Sequence, residues 1–323
     1  MFTVAELEAA AAIVHAAMPP TPQFAWPLLK ARTGVDVVVK HENHTPTGAF
    51  KVRGGLVYVD RLKRERPDVK GVITATRGNH GQSLAFACGR AGIPCTVVVP
   101  FGNSAEKNAA MQAFGAELVE HGRDFDEARE HAVTLADERG YEYGKSFAKE
   151  LVLGVATYAY ELFTAEPELD AVYVPIGLGS GICGVIGARD ALGHKARVIG
   201  VISERANTYR LSLDAGRPVP SNSAATFADG MAVRIPDATA LDIIRRGAEH
   251  LVEVSDDEVA DAIRVLYSDT HTLAEGAGAA AFAALMKERE TLRGQRVAVI
   301  VSGQNIDRPW MATVLNGGTP QVS

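Results

Sequence analysis

The chain has 323 residues, 47% of them hydrophobic and 22% charged, with a formal net charge of −6. That mixture is globular; it excludes a disordered chain, and the absence of a basic stripe argues against nucleic acid as a partner. The longest apolar runs, Val37-Val38-Val39 and Val297-Ala298-Val299-Ile300-Val301, are too short to span a bilayer, and "MFTVAELEAA" has no basic region leading into an apolar stretch, so a cytoplasmic protein with no membrane contact is expected.

The spacing of apolar residues predicts an amphipathic helix over 4–17, ended by Pro19-Pro20, then a short strand at 35–40 and a helix after Gly48. From there the pattern is regular. Strands are expected at 71–76, 95–100 and 116–121, and helices at 79–92, 104–115 (capped by Asn103 or Ser104) and 124–140. The alternation resumes with a strand at 170–177, a helix after Gly181 and strands at 196–203 and 295–303; "ADGMAV" (228–233) and a helix at 256–270 lie between them. Apolar, β-branched strands alternating with helices mean parallel sheets covered by helices on both faces. The three cysteines, Cys88, Cys95 and Cys183, have no metal-ligand spacing and read as buried, reduced thiols. The fold class is therefore α/β, with two α/β units and no repeats or long linker.

In open parallel sheets, ligands bind beyond the carboxyl ends of the strands. The strand exits are accordingly the places to look for chemistry. "IGLGSGICG" (176–184) follows a strong strand and precedes a helix, with Gly177, Leu178, Gly179, Ser180 and Gly181 in its turn. Glycines allow close backbone approach, and a helix N-terminus offers N–H groups to an anion, so this loop is a phosphate site. The same loop also matches G-x-G-x-x-G over Gly179–Gly184, with Glu204 ending the next strand, which is the dinucleotide pattern of an NAD-dependent oxidoreductase. In "TATRGNHGQS" (74–83), Thr76, Arg77, Gly78, Asn79 and His80 are dense in hydrogen-bonding groups and resemble a clamp for a small carboxylate, although an Asn there is more often a helix cap. Ser302 emerges from the last strand in "VSGQNID". In "HENHTPTGAFKVRGG" (41–55), Lys51 is framed by Gly48 on one side and Gly54-Gly55 on the other.

The ordered motifs "TGAFKVRGG", "TRGNHGQ", "PIGLGSG", "AEGAGA" and "VSGQN" resemble the fold-type-II pyridoxal-phosphate enzymes, within them the threonine/serine dehydratase and serine racemase branch, from about Pro20 to about Asn316. The resemblance implies a tryptophan-synthase-β-like fold: a large cofactor-binding domain of residues 1–53 and 148–323, a small substrate-side domain of 54–147, and an active site between domains. It implies pyridoxal 5'-phosphate in a Schiff base with Lys51 and its phosphate in 177–181. Asn79 would bond the ring hydroxyl and Ser302 the ring nitrogen, and Glu275 would lie near the cofactor. Lys51 would also be the base for the Cα proton. A homodimer is expected.

Departures from the family pattern narrow the expectation. The racemases carry a serine acid/base where Arg77 stands, and a guanidinium does not trade protons near neutrality. Racemisation is thus disfavoured, and Arg77 is assigned to substrate binding. The family's divalent-cation site keeps Glu204 but has Arg210 in place of an aspartate, so no metal is expected, with the carbonyl of Thr208 left as a weaker ligand. The chain ends at Ser323 without the further domain of the biosynthetic dehydratases, which suggests a catabolic enzyme free of end-product feedback. "YEYGKSFAKE" (141–150) replaces the family's His-Pro-Phe-Asp run. With Arg77 it points to a β-hydroxy amino acid other than threonine, with a bulky or polar substituent as in phenylserine or hydroxyaspartate. The leading expectation is an ammonia-lyase that dehydrates such a substrate to a 2-oxo acid; the alternatives are the NAD-dependent oxidoreductase and a non-catalytic amino-acid-binding protein.

Overall fold

A computed structural model describes residues 1–322. In chain order the first elements are α1 (Val4–His15), β1 (Gln23–Ala25), α2 (Pro27–Thr33), β2 (Asp36–His41), α3 (Lys51–Glu65), β3 (Val72–Ala75), α4 (Asn79–Ala91) and β4 (Cys95–Val99). Next come α5 (Ala105–Ala113), β5 (Glu117–Glu120), α6 (Phe125–Arg139), β6 (Glu142–Tyr143), α7 (Lys149–Ala165), β7 (Ala171–Pro175), α8 (Ser180–Leu192) and β8 (Arg197–Ser203). The last are α9 (Thr208–Ala215), α10 (Ala238–Gly247), β9 (His250–Val254), α11 (Asp256–Thr270), α12 (Gly276–Glu288), β10 (Arg296–Val301) and α13 (Arg308–Leu315). Two compact units result. One comprises Met1–Leu7, Pro20–His44 and the chain from Ala156 onward; the other comprises Glu8–Pro19 and Thr45–Val155.

The first unit is built on a six-stranded sheet in the order β1-β2-β10-β7-β8-β9, parallel except for β1, which runs antiparallel to β2 along one edge. Alternate residues serve opposite faces. Val37 and Val39, Val297 and Val299, and Ile199 and Val201 join the core made with α11 and α12. On α8, which packs against β7 and β8, Ile182, Val185 and Ile186 are buried. Both faces are covered, which is why the strands read as continuous apolar runs instead of alternating.

In the second unit the sheet has the order β5-β4-β3-β6, all parallel. Val72, Val97 and Val99 meet residues of α1, α3 and α4, among them Val14, Val52 and Leu84. Ile73, Ala75 and Val98 meet Ala128, Ala132 and Ala136 of α6. Caps stop the helices where sequence chemistry says they should. Asp124 accepts from the N–H groups of Asp126 and Glu127, Ser104 accepts from Lys107, and Gly92 and Gly140 close α4 and α6 in the left-handed conformation.

Candidate active site

In the second unit, the lysine framed by glycines is the first residue of α3. It follows a tight turn. Gly48 adopts φ +68° and donates to the Thr45 carbonyl at 3.0 Å, while the Thr45 hydroxyl bonds both the N–H and the carbonyl of Ala49 at 2.9 Å. This turn delivers Lys51 half-buried, its Nζ 5.1 Å from the Phe50 ring centroid. Its backbone carbonyl accepts from the Ser83 hydroxyl at 2.6 Å. Gly54 and Gly55 serve helix packing: a Cβ on Gly54 would lie 2.8 Å from the Leu151 carbonyl oxygen, and one on Gly55 would lie 2.3 Å from Ser83 Oγ.

The loop between β3 and α4 belongs to the same unit. Thr76 is buried and its hydroxyl accepts from the N–H of Gly78 at 3.0 Å. Gly78 occupies the cap position of α4, so Asn79 is the first helical residue and half-buried, not the cap that an Asn at this place suggests. Arg77 is exposed. His80 is buried and its Nε2 has no hydrogen-bond partner in the protein. Burial, and next the positive charge of Lys51, push the His80 pKa down to about 3 against a backbone hydrogen bond to Gly144. The imidazole is therefore neutral at physiological pH. Lys51 and His80 influence each other directly, and Ser83 ties α4 to the start of α3.

The first unit holds the glycine loop. Gly179 adopts φ +109° at the cap of α8, and Ser180 and Gly181 form the first turn. The loop is clamped on several sides. Tyr209 of α9 donates its hydroxyl to the Leu178 carbonyl at 2.7 Å, and Tyr158 of α7 donates to the Gly181 carbonyl at 3.2 Å. A Cβ on Gly177 would stand 2.1 Å from the Gly230 carbonyl oxygen, and one on Gly179 would stand 2.7 Å from Ala240 Cβ. Both positions exclude a side chain, which leaves backbone and a helix N-terminus facing whatever enters the loop. Gly184 lies inside α8, and Cys183 beside it is buried, its thiol pushed up to about 12 by burial and then by Asp237.

Glu275 and Ser302 are brought close to that loop within the unit. Gly230 sits in the short 3-10 turn Asp229–Met231, and a Cβ there would lie 2.9 Å from Ala277 Cβ and 3.9 Å from Glu275 Oε1. Glu275 caps α12 and its N–H donates to the Gly303 carbonyl at 3.0 Å. A Cβ on Gly278 would lie 2.2 Å from that same oxygen, so the loop after β10 rests on the first turn of α12. Ser302, at the exit of β10, is 4% exposed and presents a neutral hydroxyl. The contacts thus run from Gly177 through Gly230 and Glu275 to Gly303, beside Ser302.

The residues on each unit fit pyridoxal phosphate. One unit offers a half-buried amine on a helix N-terminus beside a neutral histidine. The other offers an anion cradle that no side chain can fill and a buried neutral hydroxyl. Sequence reading missed Ser83, Tyr158, Tyr209 and Gly230. Ser83 was within the quoted "TRGNHGQS" stretch and Gly230 within "ADGMAV", but their partners are distant in the chain. The tyrosines carried no local signal.

Known proteins resemble this chain over nearly its whole length. A family model described as pyridoxal-phosphate dependent enzyme matches residues 14–303. The chain is 38% identical over 288 residues to an L-threonine ammonia-lyase of Geobacter sulfurreducens, covering 89% of this chain and 71% of that protein. It is 33% identical over 298 residues to an L-threo-3-hydroxyaspartate ammonia-lyase of a Pseudomonas species, with 92% and 93% covered. The processed form of threonine deaminase isoform 2 from Solanum lycopersicum superposes with a TM-score of 0.89 at 29% identity, over 98% of this chain and 94% of that one. The dinucleotide reading of Gly179–Gly184 falls with this match, because the family model that covers these glycines is that of pyridoxal-phosphate dependent enzymes. From its lysine-bearing helix to its glycine loop, the chain belongs to the pyridoxal-phosphate dependent enzymes.

Proposed function

We propose that the protein is an ammonia-lyase that dehydrates a β-hydroxy amino acid, releasing a 2-oxo acid and ammonia. Relatives named for threonine and for 3-hydroxyaspartate support the reaction class. The observation that carries the reading is the setting of Lys51: its carbonyl is held by Ser83, and His80 beside it is kept neutral. Lys51 would hold the cofactor covalently, Gly177, Leu178, Gly179, Ser180 and Gly181 would take its phosphate, and Ser302, Asn79 and Glu275 would border its ring. In this reading residues 1–53 and 148–323 form the cofactor-binding part and 54–147 the substrate side.

The cofactor supplies, when bound, a sink for the electrons left on Cα. The chain's own contributions follow from its side chains. The Lys51 amine, once released by the substrate's amino group, takes the Cα proton. Ser302 would offer a neutral hydroxyl to the cofactor's ring nitrogen and would not enforce its protonation, a setting suited to expelling a β-substituent. Arg77, permanently charged and exposed, binds a substrate carboxylate with Thr76, Gly78, Asn79 and His80 around it. The β-hydroxyl leaves as water, and the enamine so formed tautomerises to an imine that water hydrolyses to the 2-oxo acid and ammonia. With a guanidinium where a second-face acid would be needed, the racemase alternative is disfavoured.

A homodimer in the cytoplasm completes the proposal. Its support is the exposure of Phe24 (51%) and Leu28 (58%), two large apolar side chains on β1 and α2 that a second copy would cover. Sedimentation would read the assembly state. The function itself is tested by a panel of L-threonine, L-serine, L-threo-3-hydroxyaspartate and phenylserine, assayed for 2-oxo acid and ammonia in equal amounts. Turnover of none of them, or oxidation of any with reduction of NAD, would overturn the proposal.

A further inference from the structure

The exits of β8 and β9 carry four carboxylates, Glu204, Glu253, Asp256 and Glu258. The family pattern places a divalent cation here, held by the acid after the strand, the carbonyl at 208 and an acid at 210. The structure does not fit that ion. The Thr208 carbonyl already accepts from the Ser212 hydroxyl at 2.6 Å within α9. Arg210 stands at the acid's position, its Nε 3.2 Å from Glu253 Oε1 and its Nη2 donating to the Leu251 carbonyl at 2.6 Å. Lys287, in the last turn of α12, donates from Nζ to the Glu253 carbonyl at 2.8 Å and to Glu258 Oε2 at 3.0 Å, and lies 3.8 Å from Glu204 Oε1. Arg205 Nε is 3.8 Å from Asp256 Oδ2. Every one of the four carboxylates therefore faces a cation of the chain itself. Among the described residues, no group of three or more His, Cys, Asp or Glu is arranged to hold a metal.

We propose that Lys287, assisted by Arg210, is a built-in cation that ties the exits of β8 and β9 to the start of α11, so that the fold needs no divalent ion at this place. An ammonium has three donors and no acceptor, and here it hydrogen-bonds the Glu253 carbonyl and Glu258 Oε2 and lies within ion-pair distance of Glu204, three separate stretches of chain. A bound metal stabilises by mass action and is lost on dilution or chelation. A tethered ammonium is not. The stabilisation is thus independent of metal concentration, and independent too of which reaction the enzyme performs.

Thermal unfolding of the holoenzyme tests this directly. Wild-type protein treated with EDTA, then supplied with millimolar Mg2+, Ca2+ or Mn2+, is expected to keep its Tm within about 1 °C throughout. Lys287→Met is expected to lower Tm by about 2–4 °C in EDTA, and Lys287→Arg by less, because the guanidinium restores the charge. A wild type that loses several degrees in EDTA and regains them with one of these ions would overturn the proposal. So would a Lys287→Met protein as stable in EDTA as the wild type. Should Lys287→Met fail to fold, the wild-type and Lys287→Arg arms still decide.

Discussion

The Ser83 hydroxyl donates to the backbone carbonyl of Lys51 at 2.6 Å, joining the second turn of α4 to the first residue of α3. This bond fixes the helix start that carries the amine relative to the helix whose first turn holds Asn79 and His80. Ser83→Ala removes a bond worth about 1 kcal/mol, which should lower Tm by about 2–4 °C. Lys51 would then be held less firmly, so kcat should fall severalfold while the cofactor stays attached. Loss of stability without any change in kcat would show that the bond only holds the fold.

At the glycine loop the expected effect is on cofactor retention. Gly177→Ala forces a methyl to within 2.1 Å of the Gly230 carbonyl oxygen, and Gly179→Val adds a branched side chain at φ +109°. The first distorts the cradle by overlap with backbone, the second also because its left-handed conformation disfavours any residue but glycine. Equilibrium dialysis should find cofactor affinity reduced at least tenfold in each. Unchanged retention would remove the loop from the cofactor site.

Arg77 should behave as a binding residue. Arg77→Ala loses a charge-assisted contact worth about 1.5–3 kcal/mol, or roughly tenfold to a hundredfold in kcat/KM. The loss should fall on KM, because an interaction made equally in ground and transition states leaves kcat alone. Steady-state kinetics on the best substrate of the panel gives the split. A collapse of kcat at constant KM would place Arg77 in the chemistry.

Two buried histidines set the acid limb of stability. His41 is pushed down to about 4, first by burial and then by His44, and His80 down to about 3. Each has a folded value below its unfolded value of about 6.5. The unfolded chain therefore binds more protons as pH falls, so stability is full above about 6.5 and lost on acidification toward the folded values. Each histidine contributes a slope of about 1.4 kcal/mol per pH unit in that window. His41 Nε2 accepts from Trp26 Nε1 at 3.2 Å, and His41→Gln keeps an acceptor there while removing the titration. Urea unfolding between pH 4.5 and 7.5 should show a shallower acid decline in His41→Gln. Identical slopes would contradict the assignment.

The parts of the fold legible in the sequence are those with local causes. Helix 124–140 was bounded by Asp124 and Gly140, which do cap α6, and the helix at 256–270 coincides with α11, whose Ser255 and Glu258 form a capping box. Elements set by tertiary packing left little signal. The edge strand β1 is three residues long, β6 is two, and α7 is apolar over most of its surface, so neither alternation nor helical period marks them. The proposed site residues show the same division. Lys51, Asn79, Ser302 and the loop 177–181 announce themselves through glycines and strand exits. The groups that hold them, Ser83 on the Lys51 carbonyl and Tyr209 on the Leu178 carbonyl, come from 32 and 31 residues away. Arg210 is visible as a departure from the family pattern, whereas Lys287, proposed as its partner beside Glu253, is evident only from the packing of α12.

The central claim is that Lys51 carries the cofactor and acts on Cα. Borohydride reduction of the yellow holoenzyme, followed by digestion and mass spectrometry, tests it most directly. The account predicts one phosphopyridoxyl adduct, on the peptide containing Lys51, and neither adduct nor turnover in Lys51→Ala protein that still folds. An adduct on any other lysine, or substantial elimination by Lys51→Ala without added amine, would contradict it.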